Sequence, residues 1–191
     1  MKRIDWQRHL PSVSFLGASV AMLVVATAAF LYFGAYNIAA DAPHTRPVYA
    51  LLESLRDRSI AVHARGIQPP ADPASPQRLA VGAGLYNEMC SSCHLGPGVE
   101  ASELSKGLYP QAPVLAEAQD LTAGQQFWVI KHGVKLSAMP SWGKTHPDRL
   151  IWDMVAFIRR LPGMKPDEYK RLVASAPADH DEMMKDMPGM K

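Results

Sequence analysis

The sequence predicts an all-α protein: one apolar helix of membrane length, then a small helical domain organised around Cys90-Ser91-Ser92-Cys93-His94. Three observations predict it. No charged residue occurs between Leu10 and Ala40. Beyond residue 77, three segments place apolar residues at helical spacing between start and stop signals, and no segment reads as a convincing strand. The two cysteines lie three residues apart with a histidine directly after them, so both thiols share one turn of helix.

A chain of 191 residues holds one domain plus accessory segments. A net charge of +2 gives no charge-based case for nucleic acid as a partner. Both cysteines belong to the motif, which excludes a disulfide framework. The compartment therefore has to be read from the apolar segment.

Residues 1–9 form a basic end, with Lys2, Arg3 and Arg8 against Asp5. Residues 10–40 form the anchor. Its core, residues 13–36, is long enough to cross the hydrocarbon core of a bilayer as a helix. Tyr32 and Tyr36 suit the far interface. The basic flank predicts a cytoplasmic N-terminus and an external location for everything after residue 40. A cleaved signal is the alternative, with Ile38-Ala39-Ala40 as a loose cleavage site. The apolar run exceeds the roughly 7–15 residues of a signal core, which favours an anchor.

Residues 41–77 comprise an amphipathic helix and a spacer. Thr45-Arg46-Pro47 reads as a helix start. Val48, Leu51, Leu52 and Leu55 form its apolar face, with Glu53, Arg56, Asp57 and Arg58 taking much of the other. The helix either packs on the domain that follows or docks a membrane partner; packing is the simpler reading. Pro69, Pro70, Pro73 and Pro76 make residues 68–77 a stiff spacer.

Residues 78–162 form the globular domain. A first helix spans residues 78–89, with Gly82, Tyr86 and Cys90 on one face. A second begins at Thr122, where Thr122 and Gln125 suit a capping box, and stops at Gly133. Phe127 or Trp128, with Ile130, forms its buried face. A third starts at Pro147 and stops at Pro162-Gly163, with Ile151, Met154, Val155 and Ile158 along one side. The loop over residues 94–121 is long for so small a domain and suits the wrapping of a flat prosthetic group.

The motif is the c-type haem attachment signature. Cys90 and Cys93 are the candidates for two thioether bonds to one covalent haem c, and His94 for the proximal iron ligand. The other axial ligand decides between electron transfer and ligand chemistry. Met139, followed by Pro140 in the loop between the second and third helices, is the best-placed thioether. Met89 lies on the proximal side, and Met154 belongs to a core face. A redox dithiol would need a βαβ context, and structural zinc a second pair of ligands; neither is visible.

Gly82-x-x-x-Tyr86-x-x-x-Cys90-x-x-Cys93-His94, then Met139-Pro140-x-Trp142, then a helix ending Val155-Ala156-Phe157-Ile158-Arg159-Arg160-Leu161 resembles the class I cytochrome c domain. The resemblance covers residues 78–162, less than half the chain. It implies that the first and last helices cross where Gly82 meets Phe157. It also implies a main-chain carbonyl, often a proline's, that accepts the proximal histidine's ring N–H; Pro97, Pro110 and Pro113 are the candidates.

Other side chains are assigned less specific roles. His132 is expected to be structural or at the surface, and His146 to be a capping or surface residue near the start of the third helix. Trp128 and Trp142 are expected to pack on the haem. Lys106, Lys131, Lys135 and Lys144 suit a mixed solvated surface, because residues 78–162 carry eight basic against seven acidic side chains. Residues 163–191 form a Met- and Asp-rich tail in which one short helix is expected near residues 167–175. His180, Met183, Met184, Met187 and Met190 are candidate copper ligands there, since thioethers and imidazole suit Cu(I) and Cu(II).

The expectation is a single-pass protein of a bacterial inner membrane with its haem domain in the periplasm. It carries single electrons between respiratory or dehydrogenase partners and is not itself an enzyme. The alternatives are a subunit of a larger oxidoreductase complex, a haem protein with an open catalytic site, and a haem protein with a copper-handling tail.

Overall fold

The computed structural model describes residues 12–71, 75–117 and 120–177. Among them there is no strand, and the chain divides into two units, residues 1–42 and 43–191. The first unit holds helix α1, Val13–Tyr32. The Ser12 hydroxyl caps it by accepting from the Phe15 N–H at 3.2 Å. All its faces are apolar and none is buried. Twenty residues rise about 30 Å, the thickness of a bilayer's hydrocarbon core. The helix stops short of Tyr36 because Gly34 turns left-handed, with φ of +58°.

The second unit contains α2 (Arg46–His63), α3 (Pro76–Met89), α4 (Ser91–His94), α5 (Glu103–Gly107), α6 (Ala123–His132), a 3-10 turn (Trp142–Lys144), α7 (Asp148–Ile158) and α8 (Pro166–Ala174). Its centre is the crossing of α3 and α7. They approach at Gly82, where a Cβ would run into the Asp153 carbonyl and come within 2.9 Å of the Phe157 Cβ. Only glycine permits this approach, as the glycine–aromatic crossing requires. Leu85, Tyr86, Leu150, Ile151, Met154, Phe157 and Leu161 are fully buried around it.

Polar groups tie this core down. The Asp153 carboxylate is buried on α7 and lies 2.8 Å from the Arg78 guanidinium of α3. Helix α6 begins and ends where its signals predict. Thr122 and Gln125 form the reciprocal cap, at 3.3 and 2.8 Å, and Gly133 ends the helix with φ of +68°. Phe127 and Ile130 are its buried apolar side chains, and Phe127 stacks on Trp152 of α7 at 4.3 Å.

Helix α2 packs on α6, as the simpler reading expects, but only part of the face that its spacing suggests is covered, Val48 and Leu52 being half-buried. Ile60 and Ala64 are buried, whereas Leu51 and Leu55 are exposed. His63 lies against Trp128, with ring centres 5.6 Å apart. Trp128 makes the contact between α2 and α6; it also lies 5.1 Å from the exposed His132 ring. His146 is neither a surface nor a capping residue: it is buried just before Pro147, which caps α7. Its N–H donates to the Trp142 carbonyl, and its Nδ1 lies 2.9 Å from the Thr145 hydroxyl.

Helix α5 extends the expected arrangement, and α8 is the short helix expected near residues 167–175. Helix α5 interrupts the long loop after His94. The Ser102 hydroxyl caps it by accepting from the Ser105 N–H and donates to the Ser92 carbonyl at 2.6 Å, which latches α5 to the motif. Helix α8 packs on α3 through the buried ring of Tyr169, so the packed body continues beyond Leu161.

Candidate functional site

The motif occupies the tight junction between α3 and α4. Cys90 ends α3, and its carbonyl accepts from the N–H groups of Cys93 (3.1 Å) and His94 (2.8 Å). This closes one turn and holds both cysteines on it, unpaired with each other. Cys90 is buried and Cys93 half-buried. Burial, with the neighbouring Cys93 adding, pushes the Cys90 thiol up to about 12. At neutral pH it is a thiol rather than a thiolate, a poor group for dithiol exchange.

His94 is oriented by one contact. Its Nδ1 lies 2.8 Å from the Pro113 carbonyl oxygen. A carbonyl only accepts, so Nδ1 carries the proton and Nε2 of the neutral ring keeps a free lone pair. Burial lowers the His94 pKa, opposed by the bond to Pro113, and so favours the neutral ring. Of the three prolines that the sequence leaves open, Pro113 supplies the carbonyl.

The chain just past the motif is strained and clamped. Leu95 has φ of +58° and ψ of −168°, a region that side-chain-bearing residues avoid at a cost of about 1–3 kcal/mol. The Tyr86 hydroxyl donates to the Leu95 carbonyl. Tyr169 of α8 closes the other side. Its hydroxyl donates to Asn87 Oδ1 at 3.1 Å, and its ring packs edge-on to Tyr86 at 6.4 Å. A Cβ on Gly96 would lie 3.2 Å from the Tyr169 ring, and one on Gly98 would lie 2.9 Å from Pro166. Sequence reading missed both tyrosines in these roles. The four-residue step from Tyr86 to Cys90 was the available signal; nothing pointed to Tyr169.

Met139 is half-buried against the core in a closely specified loop. The Val134 N–H donates to the Met139 carbonyl (3.2 Å), and the Met139 N–H donates to the Ser137 hydroxyl (3.2 Å). The segment that follows is pinned to α6, with the Ser141 hydroxyl donating to the Lys131 carbonyl at 2.8 Å. Trp142 packs against the same core. The candidate copper ligands His180, Met183, Met184, Met187 and Met190 lie outside the described residues.

These donors suit a covalently held haem. Two cysteine thiols share one turn, an imidazole presents a free Nε2, and a thioether sits in a fixed loop. Val99, Leu104, Val114 and Leu136, in segments flanking the motif and the Met139 loop, keep large apolar surfaces exposed that a flat apolar group could cover. Among the described residues no cluster of three or more His, Cys, Asp or Glu side chains could hold a metal ion by itself.

Residues 77–158 match the family model described as cytochrome C oxidase, cbb3-type, subunit III. The match spans 82 of the 191 residues. No curated protein and no solved structure matches the chain. Over these residues the chain is similar to a class I c-type cytochrome domain.

Proposed function

We propose that the chain is a membrane-anchored monohaem cytochrome c that carries single electrons at the periplasmic face of a bacterial inner membrane. The observation that carries this reading is the 2.8 Å contact between His94 Nδ1 and the Pro113 carbonyl, which leaves Nε2 free for iron. Cys90 and Cys93 would hold the single haem c by thioether bonds, and His94 and Met139 would bind its iron. A bound haem supplies a one-electron iron couple. The chain's own residues supply attachment, ring orientation and the apolar surroundings that tune the potential. One C-x-x-C-H motif accounts for one haem.

Helix α1 is the anchor, with Lys2, Arg3 and Arg8 on the cytoplasmic side. Anchoring keeps the domain near the membrane and raises its effective concentration for membrane-bound redox partners. The family match favours a second, compatible reading, in which the chain is a subunit of a membrane oxidase complex. Purification from membranes in mild detergent tests both. A carrier is expected to be reduced by membrane dehydrogenase activity and to elute without stoichiometric partners. A constant set of co-purifying oxidase subunits supports the second reading. A chain without covalent haem contradicts both.

A further inference from the structure

Helix α2 carries two opposed faces. Ile60, with Ala64 just past the helix end, lies on the side covered by the domain. On a helix of 3.6 residues per turn, Leu51, Leu55, Arg58 and Val62 fall within an arc of about 60° on roughly the opposite side. Leu51 is 69% exposed, Leu55 64% and Val62 38%. The stripe takes in Leu51 and Leu55 of the apolar face expected from the sequence, whereas Val48 and Leu52 of that face are half-buried.

The charges on α2 are segregated. Both carboxylates, Glu53 and Asp57, lie away from the exposed stripe and pair with Arg56 at 3.4 and 2.8 Å. Arg58 lies within the stripe, and Arg65 follows the helix end; both are exposed. Neither makes an ion pair within 4 Å among the described residues. The stripe is therefore leucine and valine joined by unpaired guanidinium groups, with no acid.

We propose that this stripe of α2 lies on the surface of an anionic phospholipid bilayer, with Leu51, Leu55 and Val62 at the acyl boundary and Arg58 and Arg65 on lipid phosphates. The proposal rests on the reading of α1 as a membrane anchor. Two features of the chain favour lipid as the occupant. Apolar side chains flanked by cations alone match the layering of an anionic interface. Residues 33–45, which separate α1 from α2, span at most about 45 Å when extended, so α2 stays within reach of any membrane that holds α1. A domain attached at this stripe would be limited in its rotation over the membrane.

The test uses the full haem-loaded chain reconstituted into vesicles, with a polarity-sensitive fluorophore on Leu55→Cys. Lys170→Cys on α8 is the exposed control and Leu23→Cys in α1 the anchor control. In vesicles containing phosphatidylglycerol, the Leu55→Cys label is expected to shift to the blue and to be quenched by acyl-brominated lipid, while the Lys170→Cys label is not. Pure phosphatidylcholine, or Arg58→Glu with Arg65→Glu, is expected to lower that quenching about twofold or more. If the Leu55→Cys label stays in water while Leu23→Cys is quenched, the proposal is overturned and the anchor stands. If Leu23→Cys is not quenched either, the anchor fails and the proposal with it. If Leu55→Cys becomes shielded only when a membrane oxidase is added, the stripe is a protein-docking face and lipid is the wrong occupant.

Discussion

His94 Nδ1 and the carbonyl oxygen of Pro113, nineteen residues further along the chain, are 2.8 Å apart. The contact settles which nitrogen carries the proton and which remains free. It also gives the intervening loop a role, because residues 95–112 return the chain to the imidazole. In the haem-loaded protein this bond raises the basicity of the iron ligand and so favours the oxidised state. Pro113→Gly, which loosens the carbonyl, is expected to raise the midpoint potential. A bond of about 1 kcal/mol corresponds to about 40 mV for one electron. A potentiometric titration of wild type and variant checks it.

Gly82→Ala is expected to destabilise the domain by about 3 kcal/mol. The added methyl meets the Asp153 carbonyl, a backbone atom that cannot swing aside, so α3 and α7 must separate. Chemical denaturation of the haem-loaded protein, followed by far-ultraviolet circular dichroism, measures the loss.

Asp153→Ala leaves the Arg78 guanidinium without its buried partner. Breaking a fully buried pair costs about 3–5 kcal/mol. The Arg78 side chain is 19% exposed and can recruit water, so the expected loss is nearer about 2 kcal/mol. Asp153→Asn keeps the shape and an acceptor oxygen, and is expected to lose less. The same denaturation experiment ranks the two variants.

Tyr169 is expected to support the motif from outside the matched segment. Tyr169→Phe removes the bond to Asn87 and is expected to cost about 1 kcal/mol. Tyr169→Ala also removes a buried ring from Tyr86 and Gly96, with an expected cost of about 3–5 kcal/mol. Amide hydrogen exchange at residues 94–98 is expected to rise strongly in Tyr169→Ala and only slightly in Tyr169→Phe.

Legibility of the fold in the sequence followed the range of the interactions. Helix α6 was readable nearly to the residue, because its capping box and terminal glycine act within one turn. The crossing of Gly82 and Phe157 was readable through the family resemblance. Helix α5 was not, because five residues show no periodicity, although Ser102 and Ser105 bore the marks of a cap. Periodicity located Leu51 and Leu55 of the exposed α2 stripe, but which side the domain covers is set by α6, some sixty residues away. The bond from Pro113 is made by a main-chain carbonyl, which every residue has, so side-chain identity could not select it. Asp153 sits amid an apolar helix, and Arg78, the partner that bonds it at 2.8 Å, is 75 residues distant.

The most direct test of the central claim is the absorption spectrum of the oxidised, haem-loaded protein, read beside that of Met139→Ala. Sulfur ligation to ferric haem gives a weak charge-transfer band near the red end of the visible range. The account predicts this band in the wild type and its loss in Met139→Ala, with haem still covalently attached in both. A wild type without the band, or a Met139→Ala variant that keeps it, would contradict the assignment of Met139 and the electron-carrier mechanism built on it.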